Sequence, residues 1–557
     1  MQMDFKKTIL WAVFSMSGLM LYNNWQVHEG KPSLFGGAPG VVATANEKAT
    51  TTKVDTPAAI AGAPTTLAPD SKTVASESAA KFVLSNDFLS LEVSSAGANV
   101  VGAKLLKELT ADQKPVEIFQ HTPTHTYVAR SGLVAIGNMD LPNHTSTFKL
   151  DRSGKDGSGR PFLVLSAERN GVKLEKTFIL NPQSYDVYVG HRITQVATNG
   201  APLSLYTEIV RDGSQEQKIG PFGGAFSAST FTGPAIYTDG DKFKKVPFTD
   251  IEKNKFTPPA QISAGQPGWV AMVQHYFASA WIPDDKFARD IYSGRIDSDL
   301  YRVGMQTQLG AIPAGTTLTA NTQLFVGPQE ERMLETIAPG LELLKDYGYL
   351  TILAKPIFWL LEHIHNIAGN WGWSIILLTI LIKLVFFPLS AASYKSMARM
   401  KEVQPRLAAM KEQHKGEPQK LNQAMMEMYR KEKINPLGGC LPVVIQIPVF
   451  ISLYWVLLSS VEMRGAPWVL WIHDLSVPDP YYILPIIMAV SMFVQTKLNP
   501  TPPDPIQAKV MMYMPIVFSI MFFFFPAGLV LYWVTNNLLS IAQQWQINQM
   551  FGKKPAK

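Results

Sequence analysis

Residues 366–394 read NIAGNWGWSIILLTILIKLVFFPLSAASY, with one charged side chain, Lys383, among aliphatic and aromatic ones. A bilayer core of roughly 30 Å is crossed by about 20 mainly apolar residues in a helix, so this stretch is long enough to span. Four more stretches hold no Asp, Glu, Lys or Arg: Thr8–Trp25, Gly439–Val461, Pro480–Thr496 and Val510–Gly552. The last is too long for one helix and is interrupted by Pro526-Ala527-Gly528, which predicts two spans in a tight hairpin. Six spans are expected in all.

Charge sets the orientation of these spans. Ten Lys and Arg lie between Lys395 and Lys433, whereas Ser460–Asp479 carries only Arg464. Lys6 and Lys7 precede the first span, and Lys553, Lys554 and Lys557 follow the last. Basic loops stay cytoplasmic, which puts both termini in the cytoplasm and residues 26–350 outside. Thr8–Trp25 also has the form of a signal peptide, but Ala43-Thr44-Ala45 lies about 20 residues beyond its apolar run, too far for normal cleavage. An uncleaved anchor over residues 1–25 is expected.

The whole-chain averages are mixtures. The 557 residues have a mean hydropathy of +0.05 and a net charge of +6. Residues 1–350 carry 32 Lys+Arg against 34 Asp+Glu, net −2, and the remainder 18 against 10, net +8. The basic pI therefore belongs to one segment, which argues against a uniformly basic nucleic-acid binder. The single cysteine, Cys440, excludes a disulfide framework, a Cys-based zinc site and an acylated N-terminal cysteine.

Outside the spans, residues 26–80 are rich in Ala, Thr, Pro and Gly and read as a flexible linker. From Lys81 the pattern alternates with period two, as in Phe88–Val93, Phe162–Glu168, Val172–Ile179 and Tyr185–Ile193. Asn170-Gly171 is a hairpin signal. Residues 81–335 are thus expected to form a large antiparallel β-sandwich. It has no nucleophile elbow, no H-E-x-x-H and no phosphate loop; Gly220–Gly224 lacks the Lys and Ser/Thr that would make it one. His121, His125 and His144 lack metal-ligand spacing and are expected at the surface. A binding or spacing module fits. In the next segment, 336–368, Leu341–His365 is amphipathic, interrupted by Pro356, and is expected to lie in the outer membrane interface; a helix packed on the sandwich is the competing reading.

Lys383 is expected near the middle of its span, and a lysine at a helix centre costs roughly 2.5–3.5 kcal/mol on insertion scales, so it should face a polar partner or cavity. Thr379 lies one turn before it and Ser390 two turns after. The following span offers Gln446 and Phe450, and the final one Thr535, Asn536, Ser540 and Gln543. No Asp or Glu lies within any span, so a proton relay or buried ion pair is not expected. An unpaired cation beside hydroxyls and amides predicts a wet recess attractive to anions. The alternative is that Lys383 snorkels and the polar residues only pack helices. In the basic loop, Met397, Met400, Val403, Leu407 and Met410, then Leu421, Met425 and Met428, recur at helical spacing. They predict a hairpin of two amphipathic helices over residues 395–434, its Met-rich faces meeting apolar partners or each other, its basic faces meeting anionic lipid or RNA.

Asn435-Pro436-Leu437-Gly438-Gly439-Cys440-Leu441-Pro442, running into Gln446-Ile447-Pro448-Val449-Phe450, closely resembles the YidC membrane protein insertases. So do Trp468–Ser476, Asp479-Pro480-Tyr481-Tyr482-Ile483-Leu484-Pro485 and Phe525-Pro526-Ala527-Gly528-Leu529-Val530-Leu531-Tyr532. The resemblance is dense over about 340–550, and the six spans with a large first outside loop look like the Gram-negative form. It implies a bacterial inner-membrane protein with residues 26–350 in the periplasm, a five-span core at 369–550 and a basic tail at 551–557. That core would enclose a hydrophilic groove open to the cytoplasm and to lipid. It implies nascent membrane proteins, the Sec translocon, the ribosome and membrane lipids as partners, and no metal, cofactor or catalytic turnover. Thr379, Gln446 and Phe450 match groove positions, Lys383 stands where most of the family has Arg, and Trp533 where an aromatic is expected; Asn536 is assigned to the same groove. Lys keeps the charge of Arg but not its planar fork. A secondary transporter or channel is the rival reading, but it calls for internal repeats and coupling-ion ligands that are not seen. An intramembrane protease would require a Ser/His or Asp pair inside the spans.

Overall fold

The structure, a computed structural model, describes residues 79–110, 112–135, 139–196, 201–214, 231–414, 418–432, 441–498, 509, 512–515 and 519–551. The expected span Thr8–Trp25, the linker up to residue 78, the Gly220–Gly224 loop, Cys440 and residues 552–557 lie outside them. The described residues fall into two units, one ending at Lys345 and the other beginning at Asp346.

The first unit is built from two antiparallel sheets. In spatial order one runs β1 (Lys81–Ser85), β2 (Leu89–Ser94), β3 (Val100–Leu109), β6 (Thr126–Ala135), β11 (Pro202–Asp212), β17 (Leu300–Ala311), β16 (Arg289–Asp297), with β4 (Pro115–Glu117) on β3 and β5 (Gln120–His121) on β6. The other runs β13 (Lys242–Lys245), β12 (Gly233–Thr238), β14 (Gly268–Val273), β15 (Phe277–Pro283), β18 (Thr317–Pro328), β10 (Asp186–Gln195), β9 (Val172–Leu180), β8 (Pro161–Arg169), β7 (Lys149–Lys155). The alternating runs became strands within a residue or two of their expected limits. Asn170 and Gly171, at φ +47° and +71°, close the β8–β9 hairpin, the left-handed pair that matches strand twist. The sheets meet through Tyr127 Oη and Ser279 Oγ at 2.8 Å and through Trp281 Nε1 donating to the Glu208 carbonyl at 3.0 Å. Two short helices, α1 (Phe248–Glu252) and α2 (Glu331–Ile337), complete this unit.

Of the three histidines expected at the surface, His144 is instead buried, and His121 and His125 are partly exposed. His144 is 1% exposed, its backbone N–H donating to Tyr206 Oη at 3.1 Å and its Nδ1 in contact with the same oxygen. Its segment lies flat on β6: a Cβ on Gly132 would come within 2.6 Å of Asn143 Cα. His125 pairs with Asp212 at 2.7 Å, and His121 is half-buried against Thr126. Metal-ligand spacing says nothing about burial under a loop, which is what places His144.

The second unit is helical: α3 (Thr351–Ala368), α4 (Trp371–Val385), α5 (Phe387–Gln413), α6 (Pro418–Lys431), α7 (Leu441–Ser459), α8 (Ile483–Leu498) and α9 (Ala527–Phe551). Leu341–Leu344 is a separate 3-10 turn on the β side of the division, so the amphipathic element begins at Thr351. Pro356 does not interrupt α3; it removes only the hydrogen bond to the Ile352 carbonyl in the first turn. Ala354, Phe358 and Leu361 are buried at helical spacing, and α3 packs on α4 and α7. Their core joins Ile375 and Leu378, Leu453 and Val456, Leu484 and Met488, and Leu529 and Val530. Among the described residues no single helix is long and apolar enough to cross a membrane. The pair Trp371–Val385 and Phe387–Ser396, bent by 64°, passes on length and composition.

Candidate functional site

The apolar stretch that begins at Asn366 is not one helix. Pro388 has no N–H for the Leu384 carbonyl and its ring crowds that oxygen, so the chain breaks at Phe386 and restarts with proline in the first turn of α5. Lys383 therefore sits in the last turn of α4, where the free carbonyls favour a cation, rather than mid-helix. Nor is it unpartnered. Its Nζ donates to Ser540 Oγ on α9 at 2.7 Å, and that hydroxyl donates to the Asn536 carbonyl at 2.8 Å. Asn536 Oδ1 in turn accepts from Gln446 Nε2 on α7. A line of polar side chains thus runs from α4 across α9 to α7.

Phe450 and Trp533 lie one turn along α7 and α9 from Gln446 and Asn536, with ring centroids 4.6 Å apart. Thr379 is buried, but its hydroxyl donates to Ile375 of its own helix at 2.6 Å and takes no part in the line. Ser390 joins Lys383, Phe386, Gln446 and Val449 around a cleft of about 20 Å³. That is room for roughly one water. The recess is a slot in this conformation.

One pairing and one seam were not foreseen in the sequence. Ser540, rather than Thr379, is the partner of Lys383; its place in the polar stripe of the last span was the available signal. On another face of α9, Asn537 Nδ2 donates to Ser491 Oγ at 3.2 Å, and Gln544 accepts from Gln495 at 3.0 Å while donating to the Leu498 carbonyl. This second seam ties α9 to α8. The spacing of Ser491 and Gln495 (i, i+4) on one helix and Asn537 and Gln544 (i, i+7) on the other could have shown it.

Four methionines of the basic region, Met400, Met410, Met425 and Met428, face inward. Val403, Leu407 and Met428 are buried between α5 and α6, with Met400, Met410 and Met425 packed around them. Met397 lies on α5, its side chain outside the described residues. Arg406 and Glu432 close the pair at 2.8 Å. The methionine spacing is thus used by mutual packing of the two helices, while Met426 is exposed. Among the described residues no group of three or more His, Cys, Asp or Glu could hold a metal ion.

Two family patterns cover most of the chain: "YidC periplasmic domain" matches residues 81–360 and "60Kd inner membrane protein" residues 363–554. A membrane protein insertase YidC from Polynucleobacter asymbioticus is 86% identical over 557 residues, covering 100% of both chains. Another, from Cupriavidus necator, is 57% identical over 561 residues, covering 100% of this chain and 99% of the relative. A solved structure of an active YidC insertase with its first transmembrane domain resolved is 18% identical, covers 87% of this chain and 94% of the other, and superposes with a TM-score of 0.39. The full-length identities settle the assignment: this inner-membrane chain, with its periplasmic antiparallel β-sheet domain and C-terminal helices, belongs to the YidC family of membrane protein insertases.

Proposed function

We propose that the chain inserts newly made inner-membrane proteins by exchanging the partner of Lys383. The observation that carries this is the buried Lys383–Ser540 bond beside Asn536 and Gln446, in spans without a single carboxylate. A hydroxyl leaves the lysine charge unneutralised, so an acidic segment of a client can take its place and gain a charge-assisted bond. The slot widens as the client's polar tail enters, and Gln446 and Asn536 offer its backbone the hydrogen bonds that hydrocarbon withholds. The Phe450–Trp533 pair flanks the path with apolar surface. The client's apolar segment, about 20 residues, then leaves sideways into lipid, and its burial drives the step. The membrane potential adds to this when the tail is negative. No covalent step is involved.

In this reading six spans, five of them forming the core, place both termini and the α5–α6 hairpin in the cytoplasm and residues 26–350 in the periplasm. The charge count on either side of the spans supports that orientation. The hairpin would receive chains from the ribosome, and the Sec translocon would share larger clients. Lys383→Glu tests the mechanism. Reconstituted variant protein should insert a client with an acidic outside tail at least tenfold more slowly than the wild type, and a client with a basic tail nearly normally. Wild-type rates for the acidic client would refute attraction by Lys383.

A further inference from the structure

The outer-loop motif beginning at Trp468 has no part in the polar line, yet it is tightly hydrogen-bonded. Trp468 N donates to the Ile472 carbonyl at 3.0 Å and Ile472 N to the Val469 carbonyl at 3.2 Å, closing a tight turn. At its tip Leu470 has φ +55° and is 79% exposed. A branched apolar residue is disfavoured in the left-handed region, and a large apolar side chain is disfavoured in water. Both penalties fall on one residue.

The turn is held rigidly in that posture. Trp468 lies against Gly372, where an added Cβ would come within 2.3 Å of its ring, and Asn370 Nδ2 donates to the Pro467 carbonyl at 2.9 Å. Trp471 Nε1 donates to Asp479 Oδ1 at 3.0 Å, and the same carboxylate accepts the backbone N–H groups of Tyr481 and Leu484 at the start of α8. Trp373, whose ring meets that of Trp468 edge-on at 5.8 Å, and Tyr481 and Tyr482, just after Asp479, are exposed near the beginnings of α4 and α8. No charge occurs from Gly465 to Ile472. The exposed Leu377 and Leu381 of α4 and Ile486, Ile487 and Val490 of α8 continue the apolar surface along the helices.

We propose that the Pro467–Ile472 turn is a lipid-inserting wedge, with Leu470 seated in the bilayer's interfacial layer and the Trp and Tyr side chains as its collar. Aromatic rings with one polar atom suit that layer, where the ring meets acyl chains and the polar atom meets water. Burial of Leu470 in lipid removes the exposure penalty and offsets the backbone strain, and the apolar surface of α4 and α8 runs on into the tip. The wedge would fix the depth of the α4 and α8 starts relative to the headgroups, independently of any role for Lys383.

The test uses the full chain carrying Cys440→Ser and Leu470→Cys, spin-labelled and reconstituted in phosphatidylethanolamine/phosphatidylglycerol vesicles. A label at Ser158→Cys, on an exposed β-unit turn, is the reference. At position 470 collision with oxygen should exceed collision with a water-soluble nickel chelate by at least fivefold over the ratio at position 158. Equal ratios would overturn the wedge. A label shielded from both reagents would also overturn it and indicate a protein neighbour instead. The unsubstituted chain gives an independent reading: lipids with a photoreactive acyl carbon should label the peptide bearing Leu470 and leave the peptide bearing Ser158 unlabelled, and the reverse pattern defeats the proposal.

Discussion

In the β unit, Arg130 and Glu208 are 1% and 0% exposed and face each other across the β6–β11 register, Nε to Oε1 at 2.5 Å, while Tyr292 donates to the second carboxylate oxygen at 3.0 Å. In the helical unit, Lys383 is 8% exposed and its Nζ rests on one serine hydroxyl. A carboxylate placed by strand register neutralises its cation and holds it. A hydroxyl satisfies one hydrogen bond and leaves the charge. The first arrangement cancels its charge; the second does not, and in the proposed mechanism that charge is what a client meets. If that distinction is right, disturbing the two sites should have very different consequences.

The largest effect is expected for Glu208→Gln, which keeps the shape and removes the counter-charge. Breaking a buried pair by removing one partner costs about 3–5 kcal/mol, since the remaining ion stays desolvated. Hydrogen exchange on the full chain should report this loss in β6, β11 and β17 peptides and little change in α4, α7 and α9. A loss under about 1 kcal/mol, the range of an exposed pair, would erase the contrast between the two sites.

Of similar size between pH 7 and 5 is a pH effect in the β unit. Burial, then the neighbouring Arg130, Lys176 and Arg302 charges, push His144 down to about 2; burial and Lys176 push His191 to about 3. Both are neutral when folded and protonate near their ordinary value of 6.5 when unfolded. The unfolded chain therefore binds more protons below that value, and stability falls as pH drops from 6.5 toward 3. The slope is about 1.4 kcal/mol per pH unit for each histidine. Burial also lowers Lys176, whose Nζ donates to the Gly97 and Ser131 carbonyls, to about 7 from 10.5. Its contribution thus falls from pH 10.5 down to 7 and is flat below. Denaturant midpoints of the β-unit signal between pH 7 and 5 should show the histidine slope, and His144→Asn should remove about half of it.

The strands, their hairpin and the two-part organisation could be read from the sequence because period two and a charge gap are local signals. The same locality explains the failures. A nearly uncharged run from Asn366 outweighed Pro388, although a proline without its N–H was the stronger evidence for where α4 ends. Thr379 shares a helical face with Lys383, but a hydroxyl four residues from a carbonyl satisfies itself within the helix, and no periodicity reveals that choice. His144 needed the path of a loop across Gly132. Asn536 was picked out by the polar stripe of the last span and Gln446 by its place in the preceding one; that they pair with each other is a tertiary fact.

The smallest effect, and the finest test of the comparison, is Ser540→Ala. It deletes the neutral partner of Lys383 and leaves the charge. Hydrogen bonds to charged groups are worth about 1.5–3 kcal/mol in general. The slot has room for roughly one water, which can take over as acceptor, so the net loss should fall near or below the lower end. Insertion of an acidic-tailed client should stay within about twofold of wild type, because a partner that must be displaced is not a partner that is needed. Measured beside Lys383→Glu in the same vesicles, this separates charge from hydrogen bonding. If Ser540→Ala slows insertion as much as the charge reversal does, the serine holds Lys383 in place as Glu208 holds Arg130, and the two buried cations are alike after all.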